Sequence, residues 1–251
     1  MIFYDYPLNE SVRLFLRLVA LFRRVLYFLQ RDDARDYHAA LLTLFELVDG
    51  TVRSDVKSEL LQGLERQRMA LIALRKNPQV ACEPLEATLA ELELVTDNLR
   101  RTVGKFAEHL RNHEGLMAIK QRMSIPGGIC DFDLPVYHYW LSLPAGNRRA
   151  QFEQWLSPLL STHVALELHI RLLLESGKIH HLEAVGGSYQ QNKVGAEARL
   201  LRVGVADNLP FVPEISANKY LLNIRFWDID GNERSVLSTQ TVPFALMFCS
   251  F

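Results

Sequence analysis

The residues of this sequence best able to do chemistry are histidines close to other potential ligands. His109 and His113 are four apart, the spacing at which one helix face offers two metal ligands. His180, His181 and Glu183 fall in a stretch with strand character. Neighbours on a strand alternate faces, so only His181 and Glu183 would share one. A zinc site needs three or four ligands in fixed geometry. Neither group has a third ligand set by spacing, so both are expected to be solvated polar side chains and no metal is called. Cys82, Cys130 and Cys249 are odd in number and far apart, with no C-x-x-C. That pattern is neither a disulfide framework nor a zinc motif, and it suits a reducing compartment. No phosphate loop, dinucleotide fingerprint, nucleophile elbow or H-E-x-x-H occurs in the sequence. The expectation is therefore no enzyme and no cofactor.

What remains is positive charge. The formal net charge is −1, so a charged site must come from local clustering. Lys120 and Arg122 precede Pro126-Gly127-Gly128, and His138 follows it. That turn could also offer backbone N–H groups to an anion. Arg199, Arg202, Lys219 and Arg225 lie in segments with strand patterning, near Tyr220, Phe226 and Trp227. Arg13, Arg17, Arg24 and Arg31 fall within roughly 40° of one another on a helical wheel. Cations beside aromatic rings on a sheet suit an acidic peptide or a nucleic acid. The net charge of −1 counts against nucleic acid, because phosphate binding needs a strong local excess.

These residues are positioned by a chain that changes character at its middle. Ile2 to Tyr6 reads as an edge strand ending at Pro7. Asn9 is placed to cap a helix to about Gln30. Helices follow over about 34–48, 54–77 (capped by Ser54) and 84–103. Another covers 105–123 with an interruption near 112–115, and the last two cover 134–142 and 148–176, with a break at Pro158. Gly177 is the expected left-handed residue at the end. Leu60, Leu64, Gln67, Leu71 and Leu74 step by four and three, as do Leu85, Leu89, Leu92, Thr96, Leu99 and Val103. This spacing predicts an antiparallel helical hairpin that packs on the other helices or meets a second copy. Ile129 to Phe132 reads as a short central strand. Strands are expected at 178–185, 199–205, 219–228, 235–241 and 244–248, with a polar loop at 186–197 and a turn at Asp228 to Glu233. In 219–228 the alternation sets Tyr220, Leu222, Ile224 and Phe226 on one face and Leu221, Asn223, Arg225 and Trp227 on the other.

The expected class is α+β. Residues 9–120 and 134–177 form a discontinuous all-α domain. Residues 1–8, 121–133 and 178–251 form a mostly antiparallel β domain from the N-terminal, central and C-terminal strands. The start of the chain shows no basic-then-apolar leader. The most apolar stretch, 11–30, holds four arginines, too many for a membrane span. A cytoplasmic protein without membrane contact is expected.

Four stretches carry a resemblance across the whole chain: YPLNESVRLFLRL, QRMSIPGGICDFDLPVYHYWL, GSYQQN with ARLLRV, and EISANKYLLNIRF. With them the sequence resembles the cell division protein ZapD family. The resemblance implies a non-enzymatic, cytoplasmic homodimer that works at the midcell division ring. There it would bind the C-terminal tail of FtsZ, the tubulin-like division GTPase, and cross-link its filaments. It also implies a basic tail pocket at the β domain. Arg225, in NIRF, and His138, in VYHYW, match basic positions of that pocket. Leu221 and Glu114 stand where relatives can carry arginine. The expected contacts therefore extend to Lys219, Lys120, Arg122, Arg202 and the Arg13/Arg17 stripe.

Overall fold

The computed structural model describes residues 1–52, 54–192, 195, 197–218, 220–229 and 236–251. It is an α+β protein, and its contacts divide the chain into two compact units, 15–169 and 1–14 with 170–251. The division falls inside the first and last long helices, α1 (Glu10–Leu29) and α9 (Leu160–Glu175).

The 15–169 unit is helical. Between α1 and α9 come α2 (Ala34–Gly50), α3 (Val56–Leu74), α4 (Cys82–Arg101), α5 (Glu108–Arg111), α6 (Glu114–Met123), α7 (Pro135–Ser142) and α8 (Ala145–Leu156). A single 3₁₀ turn over 157–159 joins α8 to α9 where Pro158 removes a backbone donor. Helices α3 and α4 pair as the expected hairpin. Leu60, Leu64 and Gln67 are buried on one arm and Leu85, Leu89, Leu92 and Leu99 on the other. The expected cap Ser54 is displaced by Asp55, whose carboxylate accepts from the Ser58 N–H. A carboxylate at that position also favours the positive end of the helix dipole. At the far end, Arg75 makes two hydrogen bonds, 2.7 and 2.6 Å, to Glu86 across the hairpin tip.

Gln67 meets α9 in a fully buried polar pair. His169 donates from Nδ1 to Gln67 Oε1 at 2.9 Å, and Gln67 Nε2 donates to the His169 carbonyl at 2.9 Å. Burial holds the His169 imidazole neutral and pushes its pKa down to about 4. Gly63 makes room for this ring, since a Cβ there would sit 2.7 Å from His169 Cε1.

The other unit carries two four-stranded antiparallel sheets. The strands are β1 (Ile2–Pro7), β2 (Lys178–Ala184), β3 (Ser188–Asn192), β4 (Ala198–Val205), β5 (Phe211–Ala217), β6 (Leu221–Asp228), β7 (Val236–Leu237) and β8 (Val242–Ser250). One sheet has the order β1-β4-β8-β2. In the other, β6 is flanked by β5 on one side and by β3 and β7 on the other. Leu201, Val203, Phe244 and Leu246 from the first sheet pack with Leu222, Ile224 and Phe226 from the second in one apolar core. Each sheet thus buries one face against the other, the usual solution for two half-apolar sheets.

Five expectations are overturned. Ile129 to Phe132 is not a strand. Its backbone closes local turns instead, Gly128 N–H to Ile125 O, Cys130 N–H to Gly127 O and Asp133 N–H to Cys130 O. Donors used this way cannot enter a ladder. The same bonds leave the Gly128 N–H unavailable to an anion. The residues 121–133 group with the helices. Gly177 does not adopt a left-handed backbone. It is small because a Cβ there would meet Cys249 Sγ at 2.7 Å. The supposed polar loop contains β3, and β5 had no counterpart in the sequence reading. The expected Asp-Gly turn falls mostly on 230–235, outside the described residues. Among the described residues no helix is long and apolar enough to cross a membrane.

The start of α1 follows the sequence reading closely. Asn9 Oδ1 accepts from the Val12 N–H at 2.9 Å. Asn9→Ala is expected to cost about 1 kcal/mol, the usual value of such a cap, read as a lower urea midpoint at unchanged slope.

Candidate functional site

The exposed face of the second sheet is built by strand alternation. Leu222, Ile224 and Phe226 are fully buried, so Leu221, Asn223, Arg225 and Trp227 stand on the opposite face, as the alternation predicts. Cross-strand register fills in the neighbours. Arg225 lies between Ser188 of β3 and Glu214 of β5, and Trp227 lies between Leu237 of β7 and Val212 of β5. Asn223 is flanked by Gln190 and Ser216. The Trp227 indole N–H donates to Glu214 Oε2 at 3.1 Å. Arg225 is exposed, and no ion pair within 4.0 Å ties it to another described residue. The face therefore offers one open guanidinium beside an indole and several apolar side chains, with hydrogen-bonding amides and hydroxyls alongside. Lys219, expected next to Arg225, lies outside the described residues.

The basic cluster expected on one sheet is split. Arg202 is on β4, in the other sheet. It makes two hydrogen bonds to Asp5, at 2.6 and 3.1 Å, and its guanidinium stacks 4.9 Å from the Phe3 ring centre. The Asp5 hydrogen bond raises its pKa further. An arginine held this way is committed to its own sheet. Arg13 is also engaged, with Glu10 at 3.3 Å and the Pro7 carbonyl at 3.4 Å. The stripe continues on α1 with Arg24, paired to Glu46 at 3.4 Å, and Arg31, paired to Asp36 at 3.5 Å. Arg17 is its one exposed member with no partner among the described residues.

In the helical unit, α7 presents His138. Tyr137 and Trp140 are buried and stacked on each other 5.9 Å apart, and Trp140 continues against Tyr37 and Trp155. Arg148 secures the end of α7 by donating to the Leu141 carbonyl at 2.9 Å and to the Leu143 carbonyl. With its inner face fixed, α7 shows Val136, His138 and Tyr139 outward. His138 Nδ1 lies 2.9 Å from Asp131 Oδ1. Phe132 in the preceding turn is 84% exposed and Val136 79%, so this part of the surface also offers apolar side chains. Lys120 is paired to Asp49, and Arg122 is exposed. The structure thus places Arg202, Arg13 and Lys120 in ion pairs and leaves Arg225, Arg17 and Arg122 without an ion-pair partner among the described residues.

The metal candidates dissolve into local roles. His109 Nε2 contacts the Trp155 carbonyl at 2.8 Å, and His113 Nδ1 accepts from the Leu116 N–H as the cap of α6. They lie on either side of the break between α5 and α6, so their spacing of four never becomes one helix face. Among the described residues no three His, Cys, Asp or Glu side chains converge as a metal site.

A profile of the ZapD family, described as a cell division protein, matches residues 16–225. The chain belongs to the ZapD family of cell division proteins. Relatives named cell division protein ZapD include those of Chromobacterium violaceum and Cupriavidus necator, each 46% identical over 100% of both chains. The Aromatoleum aromaticum relative is 44% identical over 98% of this chain and 96% of its own. A match of that extent puts both units inside the ZapD pattern, including the helices that end at the Pro-Gly-Gly turn.

The charged residue of the Arg225 face that sequence reading missed is Glu214. The signal was present but obscured. Phe211-Val212-Pro213-Glu214-Ile215 alternates like a strand, and Pro213 demotes it. In the structure β5 is a sheet edge, where a missing donor costs nothing.

Proposed function

We propose that this ZapD-family chain binds the C-terminal tail of FtsZ through the Arg225 face, and that a homodimer of it cross-links FtsZ filaments at the midcell ring in the cytoplasm. The observation that carries the reading is Arg225 itself, exposed, without an ion-pair partner among the described residues, and flanked by Trp227. A tail with acidic and apolar residues matches a cation beside an indole. Exposed Arg17, Arg122 and His138 are further candidate contacts, and Lys219 completes the proposed set, whereas Lys120, Arg202 and Arg13 would have to leave their ion pairs to join it. Each tail contact is weak alone. Two sites on a dimer, facing a filament with many tails, gain strength through effective concentration. The role is that of a non-catalytic linker.

The test is co-sedimentation of filaments with full-length and tail-deleted FtsZ. Bundles are expected with the full-length protein only. Equal bundling of both would overturn the tail reading. Bundling should also fall steeply as salt rises, because screening shortens to about 8 Å at physiological ionic strength. A salt-independent response at constant filament mass would mean that apolar contact dominates.

A dimer is required for cross-linking. Light scattering is expected to give twice the 28.8 kDa chain mass at micromolar concentration. A mass of one chain under those conditions would leave no bivalent linker and sink the mechanism.

A further inference from the structure

Glu214 and Trp227 form a built-in competitor for the ligand of Arg225. Strand register sets Glu214 directly opposite Arg225 on the same exposed face, close enough for cross-strand charges to pair. They are nevertheless not an ion pair within 4.0 Å. The Glu214 carboxylate is turned instead to the Trp227 indole N–H, at 3.1 Å. The register neighbours of Trp227 are Val212 and Leu237. The indole thus holds the carboxylate off the guanidinium. We propose that Glu214 sets the selectivity of this face: it is an internal acidic side chain that an incoming carboxylate must outcompete, and Trp227 keeps it restrained so that Arg225 stays open. This rests on the proposed acidic-tail reading and adds the regulation of that site.

The physical consequence is specific. If the indole is removed, nothing restrains Glu214, and it swings onto Arg225. A weakly acidic segment would then lose access, while a segment able to place two carboxylates near Arg225 would suffer less. If the Glu214 charge is removed, the competitor disappears and the indole has no restraining task. The effect of Trp227 on binding should therefore depend on the charge at residue 214. Such coupling between contacting residues is what a double-mutant cycle isolates.

Two measurements decide it. The first is FtsZ tail-peptide affinity for Glu214→Gln, Trp227→Phe and the double variant. Glu214→Gln is expected to bind about threefold to tenfold more tightly, since one like charge opposing the ligand is gone. Trp227→Phe is expected to bind more weakly by a similar factor, and to lose clearly less in the Glu214→Gln background, where only its own contact with the tail remains to be lost. A Trp227→Phe loss of equal size in both backgrounds would show that the indole acts on the tail alone, without restraining Glu214, and would overturn the proposal. The second needs no tail. The rate at which phenylglyoxal modifies Arg225, read by mass spectrometry, should fall in Trp227→Phe and recover in the double variant. If the wild-type chain binds no tail peptide, the functional reading fails while this rate still judges the restraint. Unchanged modification rates across the variants would remove the restraint itself.

Discussion

Replacing Arg225 by glutamate is expected to weaken tail-peptide binding by at least tenfold and to abolish bundling, with only a small change in stability. The stability side follows from position. Leu222, Ile224 and Phe226 fill the core, and Arg225 stands on the other face of the same strand. Surface substitutions usually stay within about 0.5 kcal/mol. Here the new carboxylate faces Glu214 across the strand pair, and like charges directly opposite each other add up to about 1 kcal/mol. The binding side is larger. A hydrogen bond to a charged group contributes about 1.5–3 kcal/mol, and each 1.4 kcal/mol is a factor of ten in affinity. Repulsion of an acidic tail comes on top. Arg225→Ala separates the two effects, because it removes the contact without adding the charge. Tail affinity and thermal midpoint should be measured on the same preparations. Unchanged affinity in Arg225→Glu would move the site away from this face, with Arg17 and Arg122 as the next open cations to test. A joint collapse of affinity and folding would make Arg225 structural.

The second large effect is on stability and comes from acid. The protein is expected to lose about 3 kcal/mol of folding free energy between pH 7.5 and pH 4 through His169 alone. In the unfolded chain the imidazole titrates near its usual 6.5, whereas in the folded chain burial lowers it to about 4. Above pH 6.5 both states are neutral and the stability is complete. Between 6.5 and 4 the unfolded chain binds a proton that the folded one refuses, so stability falls as pH falls. Below 4 both are protonated and the loss levels off. The size follows from about 1.4 kcal/mol per pKa unit. His163, whose pKa burial also lowers, acts in the same direction. His169→Leu should behave differently at the two ends of the range. At pH 7.5 it leaves Gln67 Oε1 without its donor and should cost about 1–3 kcal/mol, the desolvation penalty of an unpaired buried acceptor. Near pH 4 its disadvantage should vanish or reverse, because it has no imidazole to charge. Urea unfolding of both proteins across that range provides the test. Parallel pH profiles for wild type and His169→Leu would show that the acid loss arises elsewhere.

Most of the architecture was legible from local pattern, because the signals are short-range. Asn9 before an apolar run, Pro158 inside a helical stretch and alternation through 221–228 each act within a few residues. The hairpin of α3 and α4 was readable for the same reason, since its two apolar seams lie next to each other in sequence. The failures were also local in origin. Ile129-Cys130-Asp131-Phe132 has strand composition, yet the Cys130 N–H closes a turn onto Gly127, whose φ is +72°, and the Cys130 carbonyl accepts from Asp133. Ser54 and Asp55 are both good caps, and composition alone does not choose between adjacent ones.

The sequence by itself determined the α+β class, the family, and that Arg225 would face away from the strand's apolar side. It could not say which cations are open. Arg202, Arg13 and Lys120 look the same as Arg225 in sequence. Arg202 and Lys120 are neutralised by Asp5 and Asp49, 197 and 71 residues away along the chain, whereas Arg13 pairs locally with Glu10, three residues before it. Only the tertiary structure decided the two long-range pairings, and it alone set Glu214 opposite Arg225. Helix and strand periodicity report which side a residue faces. Whether a charge meets a counter-charge depends on the distance between atoms brought together by folding, and a linear pattern does not carry that distance.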